Sequence, residues 1–302
     1  MRDSRSLLYP GRLMAAVFLP LLLVAAVLAP VTSAQDAEGP TEKGLVGEFS
    51  KAFRSKDPAV RSAAITALGD MSRQLEDGGT SKRIAKELAK GLDDDELEVR
   101  AAAIGQLAWG RHVDTAISAF KSGLDDMQKQ VDRRLTKPDE EAQNYVQVGS
   151  RLYGNACMAL ANYKDDRSAD ILASQLKNLR RNTENNNLSS RLVGRVAKAL
   201  LDIGDKEGVE IAIRQMGVYQ GGEYQAQPSR NLHQELAEFA VRVGKAPPNW
   251  EENVAVAWHN WFEDNEDLFP KKVGKLKEPP PERPYVDPRT RQGRMDGGPE
   301  RP

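Results

Sequence analysis

The strongest constraint on the fold of this chain is a phrase that recurs at a nearly fixed interval. Residues 57–70 read "DPAVRSAAITALGD" and residues 95–108 read "DELEVRAAAIGQLA", so that Val60 returns 39 residues later as Val99. Weaker versions of the phrase begin at Leu152, Leu192 and Leu232, at spacings of 53, 40 and 40 residues. A period near 40 residues is typical of solenoids built from pairs of helices.

Each unit carries the signals of two amphipathic helices. In the first unit, apolar residues recur at helical spacing and include alanines, which allow a neighbouring helix to approach closely. This stripe consists of Val60, Ala64, Ala67, Leu68 and Met71. Asp57 is a natural N-cap, and Pro58 stands at the first helical position, where its missing N–H is tolerated. A second helix is predicted to place Ile84, Ala85, Leu88 and Leu92 on its inner face.

The pattern V-R-x-x-A-x-x-A-L-G, followed by a turn such as "DIGD" and a second helix, resembles the HEAT repeat in the short form of phycobilisome lyases. The fourth unit, "ALLDIGDKEGVEIAI" at residues 199–213, matches this pattern best. The resemblance covers residues 57–245 and implies an all-α fold, an α-solenoid of about five HEAT-like helical hairpins. It implies little about activity, because one fold carries many functions.

The function that such a solenoid implies is noncovalent protein binding or scaffolding. The analogy with phycobilisome lyases leaves a second function open, that of a lyase or cofactor chaperone. The sequence contains no Gly-x-Ser-x-Gly elbow, no Walker loop and no paired-cysteine zinc spacing. We therefore predict that the protein is not an enzyme and that it needs no cofactor or metal.

The residue types that most often carry chemistry stand alone in this chain. The single cysteine, Cys157, aligns with the inward positions Ile65 and Ile104, which predicts a buried and inert thiol. His259 and Glu263 are spaced for one hydrogen bond, whereas a metal site needs three or four ligands. The formal net charge of −1 gives no nucleic-acid footprint. The expected partner is a protein or peptide of unknown identity, and the chain is expected to be a monomer.

The front of the solenoid is predicted to carry a capping helix, because a terminal unit would otherwise expose its apolar face to water. Within residues 35–56, which also include a linker, Leu45, Phe49 and Phe53 recur at four-residue spacing. These three side chains are expected to cover the first repeat.

The back of the solenoid, residues 246–270, is predicted to be a second capping helix with Asn249 as its N-cap. Its apolar stripe is expected to fill the core and not to bind a ligand. The stripe consists of Trp250, Val254, Trp258, Trp261 and Phe262. The ending, Trp258 and Trp261 followed by Asn265 and Phe269-Pro270, resembles that of exported bacterial HEAT-repeat proteins.

The N-terminal residues 1–34 are typical of a secretory signal peptide. Three arginines precede the apolar run Leu13–Val31, small residues follow it, and cleavage is expected after Ala34. Export to the periplasm or the exterior of the cell is the predicted location. The alternative is an uncleaved anchor and a membrane-tethered structural protein, since the run is nearly long enough to cross a bilayer core of about 30 Å.

The C-terminal residues 271–302 are rich in proline, lysine and arginine and poor in aliphatic side chains. Such a composition cannot bury enough apolar surface to fold alone, so a disordered tail is predicted. Its "EPPPERPY" stretch is typical either of a polyproline II ligand or of a plain linker.

Three polar stretches interrupt the even spacing of the repeats: residues 125–149, 180–190 and 217–230. We interpret them as an insertion of about fourteen residues, judged by the spacing of repeats, and two linkers. Long loops of solenoids often project from the binding face.

The partner is predicted to bind near the start of each second helix and in the turn before it, where HEAT-like stacks expose a concave side. Aromatic residues beside arginine are typical of interaction hot spots. The candidate residues are Trp109, Arg111, His112, Tyr163, Lys164, Arg167, Lys206, Tyr219 and Tyr224. For Trp109 and Tyr163 packing within the core is the alternative, because Tyr163 aligns with the apolar positions Met71 and Ile203.

Overall fold

The computed structural model describes residues 41–73, 81–108, 110, 112–135, 137, 139–182, 187–218, 226–249 and 254–276. Within these residues the chain forms eleven α-helices and no β-strand, which confirms the predicted all-α class. In chain order the helices are α1 (Glu42–Ala52), α2 (Pro58–Ser72), α3 (Lys82–Ala89), α4 (Leu97–Leu107), α5 (Val113–Leu135), α6 (Glu140–Ala161), α7 (Asp166–Asn182), α8 (Asn187–Ile203), α9 (Lys206–Val218), α10 (Ala226–Arg242) and α11 (Val254–Glu263). Short 3-10 turns follow α3 at Lys90–Asp93 and α11 at Glu266–Leu268.

Five helix pairs stack side by side in two layers. The first helices α2, α4, α6, α8 and α10 form one layer, in which each helix packs on the next. The second helices α3, α5, α7, α9 and α11 form the other layer in the same way. Helix α1 packs on α2 and α3 and covers the front of the stack. The architecture is therefore an α-solenoid of five helical hairpins, as the repeats predict.

The local signals for helix initiation act as predicted in the first repeat. The carboxylate of Asp57 accepts a hydrogen bond from the amide of Ala59 at 2.9 Å, and Pro58 begins α2. Ser81 caps α3 in the same way, with its hydroxyl 3.2 Å from the amide of Ile84. These caps satisfy amides that have no partner inside their own helices.

Residues 125–135 and 140–149 of this stretch are helical, which corrects its interpretation as a long loop. Helix α5 has 23 residues and α6 has 22, so that both helices extend past the repeat and pack on each other as a projecting hairpin. Met127, Val131 and Val146 are buried between them. The four-residue spacing of Met127 and Val131 is a helical signal, which the many charged neighbours obscured.

The two predicted linkers are also shorter than expected. Helix α7 continues to Asn182 and α8 begins at Asn187, so only four residues separate them. Helix α9 continues to Val218 and α10 begins at Ala226. Helical structure therefore extends into both polar stretches.

The apolar core consists of two clusters that meet on helix α8. The first cluster runs from Leu45 to Ile203 and includes Leu200, whereas the second runs from Ala197 to Phe269. Adjacent faces of α8 supply the two clusters. The core is thus nearly continuous along the solenoid, and the predicted inward positions Leu68, Leu107 and Leu200 are all buried.

The tryptophan-rich helix α11 is the second helix of the last pair as well as the rear cap, since it packs on α9. Val254, Trp258, Trp261 and Phe262 are buried, which confirms that this stripe fills the core. Trp250 and the residues that follow the predicted N-cap lie outside the described residues.

Candidate partner-binding edge

The turns that precede α5, α7 and α9 lie side by side, and we call residues 112–114, 162–167 and 203–207 the turn edge. Two buried aspartates occupy equivalent places on it, Asp165 before α7 and Asp205 before α9. Asp165 accepts the amide of Arg167 at 2.9 Å, and Asp205 accepts the amide of Gly208 at 2.8 Å. Both carboxylates therefore cap the helix that follows them.

Arg167 connects the second and third pairs across the turn edge. Its Nε and Nη2 atoms lie 2.8 and 2.9 Å from the two carboxylate oxygens of Asp165. Its Nη1 atom lies 2.5 Å from Oδ1 of Asp114, at the start of α5. Planar two-bond pairs of this kind fix geometry as well as charge. Arg167 is thus a structural link as well as a candidate contact residue.

These ion pairs set the protonation of the edge. Burial alone would raise the pKa of Asp165, but the hydrogen bonds from Arg167 and from the amide of Leu276 outweigh it and hold the pKa below its ordinary value. The hydrogen bond from Arg167 also lowers the pKa of Asp114. Asp165 and Asp114 are therefore ionised at neutral pH, whereas burial raises the pKa of Asp205 on the same edge.

Tyr163 is fully buried, which corrects its prediction as a contact residue. Its hydroxyl hydrogen-bonds the carbonyl oxygen of Leu107 and lies 3.3 Å from that of Gly110. Tyr163 therefore connects the turn before α7 to the turn before α5. Because its side chain is buried, it cannot contact a partner.

The other candidate residues have three kinds of outcome. Lys164 is exposed, with a backbone φ of 41°, and His112 is half-buried with its Nδ1 atom 2.8 Å from the Thr115 hydroxyl. Lys206 is half-buried and its Nζ atom lies 2.5 Å from a carboxylate oxygen of Glu266. Trp109, Arg111, Tyr219 and Tyr224 lie outside the described residues.

The chain's own residues 270–276, which we call the C-terminal segment, lie along the turn edge. The amide of Lys206 donates to the carbonyl oxygen of Pro270 at 2.8 Å, and the amide of Asp166 donates to that of Gly274 at 3.1 Å. In return, the amide of Gly274 donates to Oδ1 of Asp166 at 2.8 Å, and the amide of Leu276 donates to Oδ2 of Asp165 at 2.8 Å. The first residues of the predicted disordered tail are thus ordered and bound.

Side chains of the C-terminal segment add apolar and charged contacts. Val273 and Leu276 pack partly buried against the first core cluster. The Nζ atom of Lys272 lies 3.4 Å from a carboxylate oxygen of Asp170 and 4.0 Å from one of Glu207. The other two basic residues of the segment, Lys271 and Lys275, are exposed. Sequence reasoning missed this contact because it joins parts of the chain more than 100 residues apart.

The described residues outside the edge offer little catalytic chemistry. Cys157 is buried as predicted, and burial raises the pKa of its thiol well above the ordinary value, which disfavours a reactive thiolate. Within the described part of the chain, no group of three or more His, Cys, Asp or Glu side chains is placed to hold a metal ion. His259 and Glu263 form the expected i,i+4 contact at 3.3 Å. No helix among the described residues has the length and apolar character needed to span a membrane.

Comparison with known proteins finds a similar family and similar solved structures. Residues 46–136 match the family described as HEAT repeats. The chain is 18% identical to an engineered protein whose crystal structure was solved by the Northeast Structural Genomics Consortium, with a TM-score of 0.35. That match covers 77% of this chain and 99% of the engineered one. A comparison with curated proteins found no match.

The family match spans the first two helix pairs, α2 to α5. The remaining three pairs continue the same two-layer stack. HEAT repeats are typical of protein-interaction scaffolds, which agrees with a surface that carries a bound peptide segment. Residues 46–136 are therefore similar to HEAT repeats, and the described helices together form a HEAT-like α-solenoid.

Proposed function

We propose that this protein is a non-catalytic scaffold that binds another protein or peptide outside the cytoplasm. The observation that carries the proposal is the turn edge, which holds an extended segment of polypeptide through main-chain hydrogen bonds at Asp165, Asp166 and Lys206. A surface that binds one such segment has the chemistry to bind others.

The turn edge suits peptides because it offers both kinds of hydrogen-bonding group. The first amides of α7 and α9 are donors without helical partners, and they meet carbonyl oxygens. The carboxylates of Asp165 and Asp166 are acceptors, and they meet amides. Affinity then comes from the main chain and specificity from the flanking side chains, as in other modes of peptide recognition.

The location is proposed from the sequence of residues 1–34. Their order of positive charge, apolar run and small residues supports export and cleavage after Ala34. Mass spectrometry of the protein recovered from the extracytoplasmic fraction should then find an N-terminus at Gln35. Intact Met1 in a membrane fraction would contradict cleavage and favour the membrane-tethered alternative.

Binding is tested by crosslinking and affinity capture with the full-length exported protein. A double variant, Asp114→Ala with Asp170→Ala, removes two exposed carboxylates of or beside the edge, and it should lose most of the captured partner. A matched variant, Glu48→Ala with Glu98→Ala, removes two exposed carboxylates elsewhere and should keep it. Equal capture by both folded variants would remove the edge from the proposal, and no specific partner outside the cytoplasm would reject the function.

A further inference from the structure

We infer that the turn edge is a binding site for an extended basic peptide and that the C-terminal segment is its resident occupant, which a partner segment of the same chemistry replaces. This inference rests on the proposed function and deepens it, because it states what a partner must present. The partner chemistry follows from the contacts of residues 270–276.

The edge contacts the main chain of its occupant at a four-residue interval. The first amide of α9 binds the carbonyl of Pro270, and the first amide of α7 binds the carbonyl of Gly274. Equivalent groups of successive repeats therefore bind residues four apart in the occupant. An occupant must be extended to do this, and it must run from the fourth pair towards the third.

One position of the occupant requires glycine. Gly274 has a φ of +83°, which is strained for side chains other than glycine and most strained for β-branched ones. This conformation lets its amide reach Asp166 while its carbonyl accepts from the same residue. A partner must therefore carry glycine at the equivalent place.

The flanking positions require apolar and basic side chains. Val273 and Leu276 pack against the core on either side of Gly274, and Lys272 lies between the carboxylates of Asp170 and Glu207. The partner motif is accordingly a basic residue, an apolar residue, glycine, any residue and an apolar residue. The resident segment carries this motif as "KVGKL", residues 272–276.

The resident segment is held by few apolar contacts, which makes exchange feasible. Lys271, Lys272 and Lys275 are exposed, and its two apolar side chains are only partly buried. Segments of this kind open at low free energy. Because the segment is tethered, its effective concentration at the edge reaches the order of mM, as for short linkers. A partner peptide can bind only those molecules whose edge is open. Its apparent Kd is therefore the intrinsic Kd divided by the open fraction.

The test is binding of a fluorescent peptide of residues 270–277, PKKVGKLK, to full-length protein, followed by anisotropy. Gly274→Val in the protein forces a β-branched residue to positive φ and releases the resident segment. The labelled peptide should bind this variant at least about tenfold more tightly than it binds the unchanged protein. Lys275→Val is the matched control, because it changes a neighbouring exposed residue, and it should bind the peptide as weakly as the unchanged protein.

Two further variants make the result specific. Adding Asp166→Ala to the Gly274→Val protein removes the acceptor of the Gly274 amide and should abolish the gain. A labelled peptide in which Val replaces Gly274 should bind none of the proteins. If Gly274→Val fails to fold by circular dichroism, Leu276→Asp releases the segment through its apolar contact and serves in its place.

Each outcome decides the inference. Equal peptide affinity for the unchanged and the released protein overturns it, and so does a concentration-dependent dimer of the unchanged protein that Gly274→Val abolishes, since the occupant would then be a second copy. The synthetic peptide needs no natural partner, so this result is independent of the capture experiment. Tight peptide binding without any extracytoplasmic partner would reject the proposed function and keep the peptide site.

Discussion

Arg61 and Asp94 form a two-bond ion pair, and Arg100 and Asp126 form an ion pair through one contact at the equivalent sequence positions of the next repeat. In the first repeat, Nε and Nη2 of Arg61 lie 2.7 and 2.8 Å from the carboxylate oxygens of Asp94. In the second, Nη2 of Arg100 lies 2.8 Å from Oδ2 of Asp126. Each arginine follows the valine of the repeated phrase, and each aspartate follows a Gly-Leu-Asp sequence. In the first repeat the aspartate lies after the 3-10 turn that follows α3, and in the second it lies within α5.

Asp94→Asn is expected to lower the free energy of unfolding by about 2 kcal/mol, a typical value for hydrogen bonds to a charged group in a mostly buried site. Chemical denaturation of the two proteins measures the difference. The exposed pair of Asp70 and Arg73 is the control, and Asp70→Asn should change stability by less than about 1 kcal/mol.

The effect of Asp94→Asn should also depend on pH. Burial raises the pKa of Asp94, but the hydrogen bonds from Arg61 and the amide of Glu96 outweigh it, so the pKa is lower in the folded state than in the unfolded state. The carboxylate therefore stabilises the fold above its unfolded pKa of about 3.9, and this contribution is lost as pH falls through the folded value. A difference between the two proteins that stays constant down to pH 2 would contradict this account.

Leu107→Asp should destabilise the protein by about 4 kcal/mol or more, because Leu107 is fully buried and the aspartate would have no partner there. Leu68→Asp and Leu200→Asp should act in the same way. Thermal melts followed by circular dichroism provide the measurement. Ala101→Asp changes an exposed position of the same helix α4 and should leave the midpoint nearly unchanged. Similar melting midpoints for Leu107→Asp and Ala101→Asp would contradict the buried position of Leu107 in the core.

Tyr163→Phe is expected to cost about 1–2 kcal/mol, since it removes the hydroxyl that bonds the carbonyl of Leu107 and leaves that group with one partner fewer. Urea denaturation should show a lower free energy of unfolding, with an unchanged dependence of that free energy on urea concentration. Tyr145→Phe is the matched control. It also removes a tyrosine hydroxyl, but it keeps the ring, whose centroid lies 3.8 Å from the guanidinium carbon of Arg134. Equal stability of both variants would mean that the Tyr163 hydroxyl contributes nothing.

Folding stability should decrease when the solution is acidified through the titration of His233. Nε1 of Trp258 donates to Nδ1 of His233 at 2.9 Å, so the ring must be neutral at that nitrogen. Burial lowers the pKa of His233 below its ordinary value. The unfolded state thus takes up the proton first, and stability falls between about pH 6.5 and the lower folded pKa but is constant above that range.

The measurement for His233 is the melting temperature at pH 7.5 and 5.5. His233→Asn keeps an acceptor for the indole N–H but cannot titrate, so this variant should lose the part of the pH dependence that His233 causes. His259→Asn is the control, because it replaces a half-exposed histidine near Glu263. This variant should keep the pH dependence of the melting temperature. If the unchanged protein and both variants show the same pH dependence, groups other than His233 cause it.

The local and periodic features of the fold could be predicted from the sequence. The recurrence of Val60 as Val99, the N-cap Asp57 and the buried alignment of Cys157 each depend on a short stretch of chain, and the structure confirms all three positions. The extension of α5 and α6 was missed because charged residues outnumber Met127 and Val131 there. The sequence of an amphipathic helix that is exposed on most sides is polar on average, even when one face of the helix is packed.

The candidate edge could be predicted only in part. Lys164, Arg167 and Lys206 lie on it, because the position of a turn follows from the repeat period. Tyr163 is buried, since its hydroxyl finds carbonyl oxygens in the neighbouring turn, which no residue count reveals. The C-terminal segment escaped prediction altogether. A lysine-rich stretch has no apolar stripe, and its partners Asp165 and Asp166 are distant in sequence.

The C-terminal segment also sets an order on folding. Stacked helices join residues about one repeat apart, such as Arg242 and Asp202 at a separation of 40, whereas the contacts of the segment span 64 (Lys206 to Pro270) to 111 positions. The entropy of closing a loop rises with its length, so contacts between neighbouring repeats form with the smaller loss. The segment can close only after the third, fourth and fifth pairs have stacked and brought Asp166 and Lys206 into line. Its closure is consequently a late kinetic step, and protection of the Gly274 amide from hydrogen exchange would mark the moment at which a newly made chain has completed its stack.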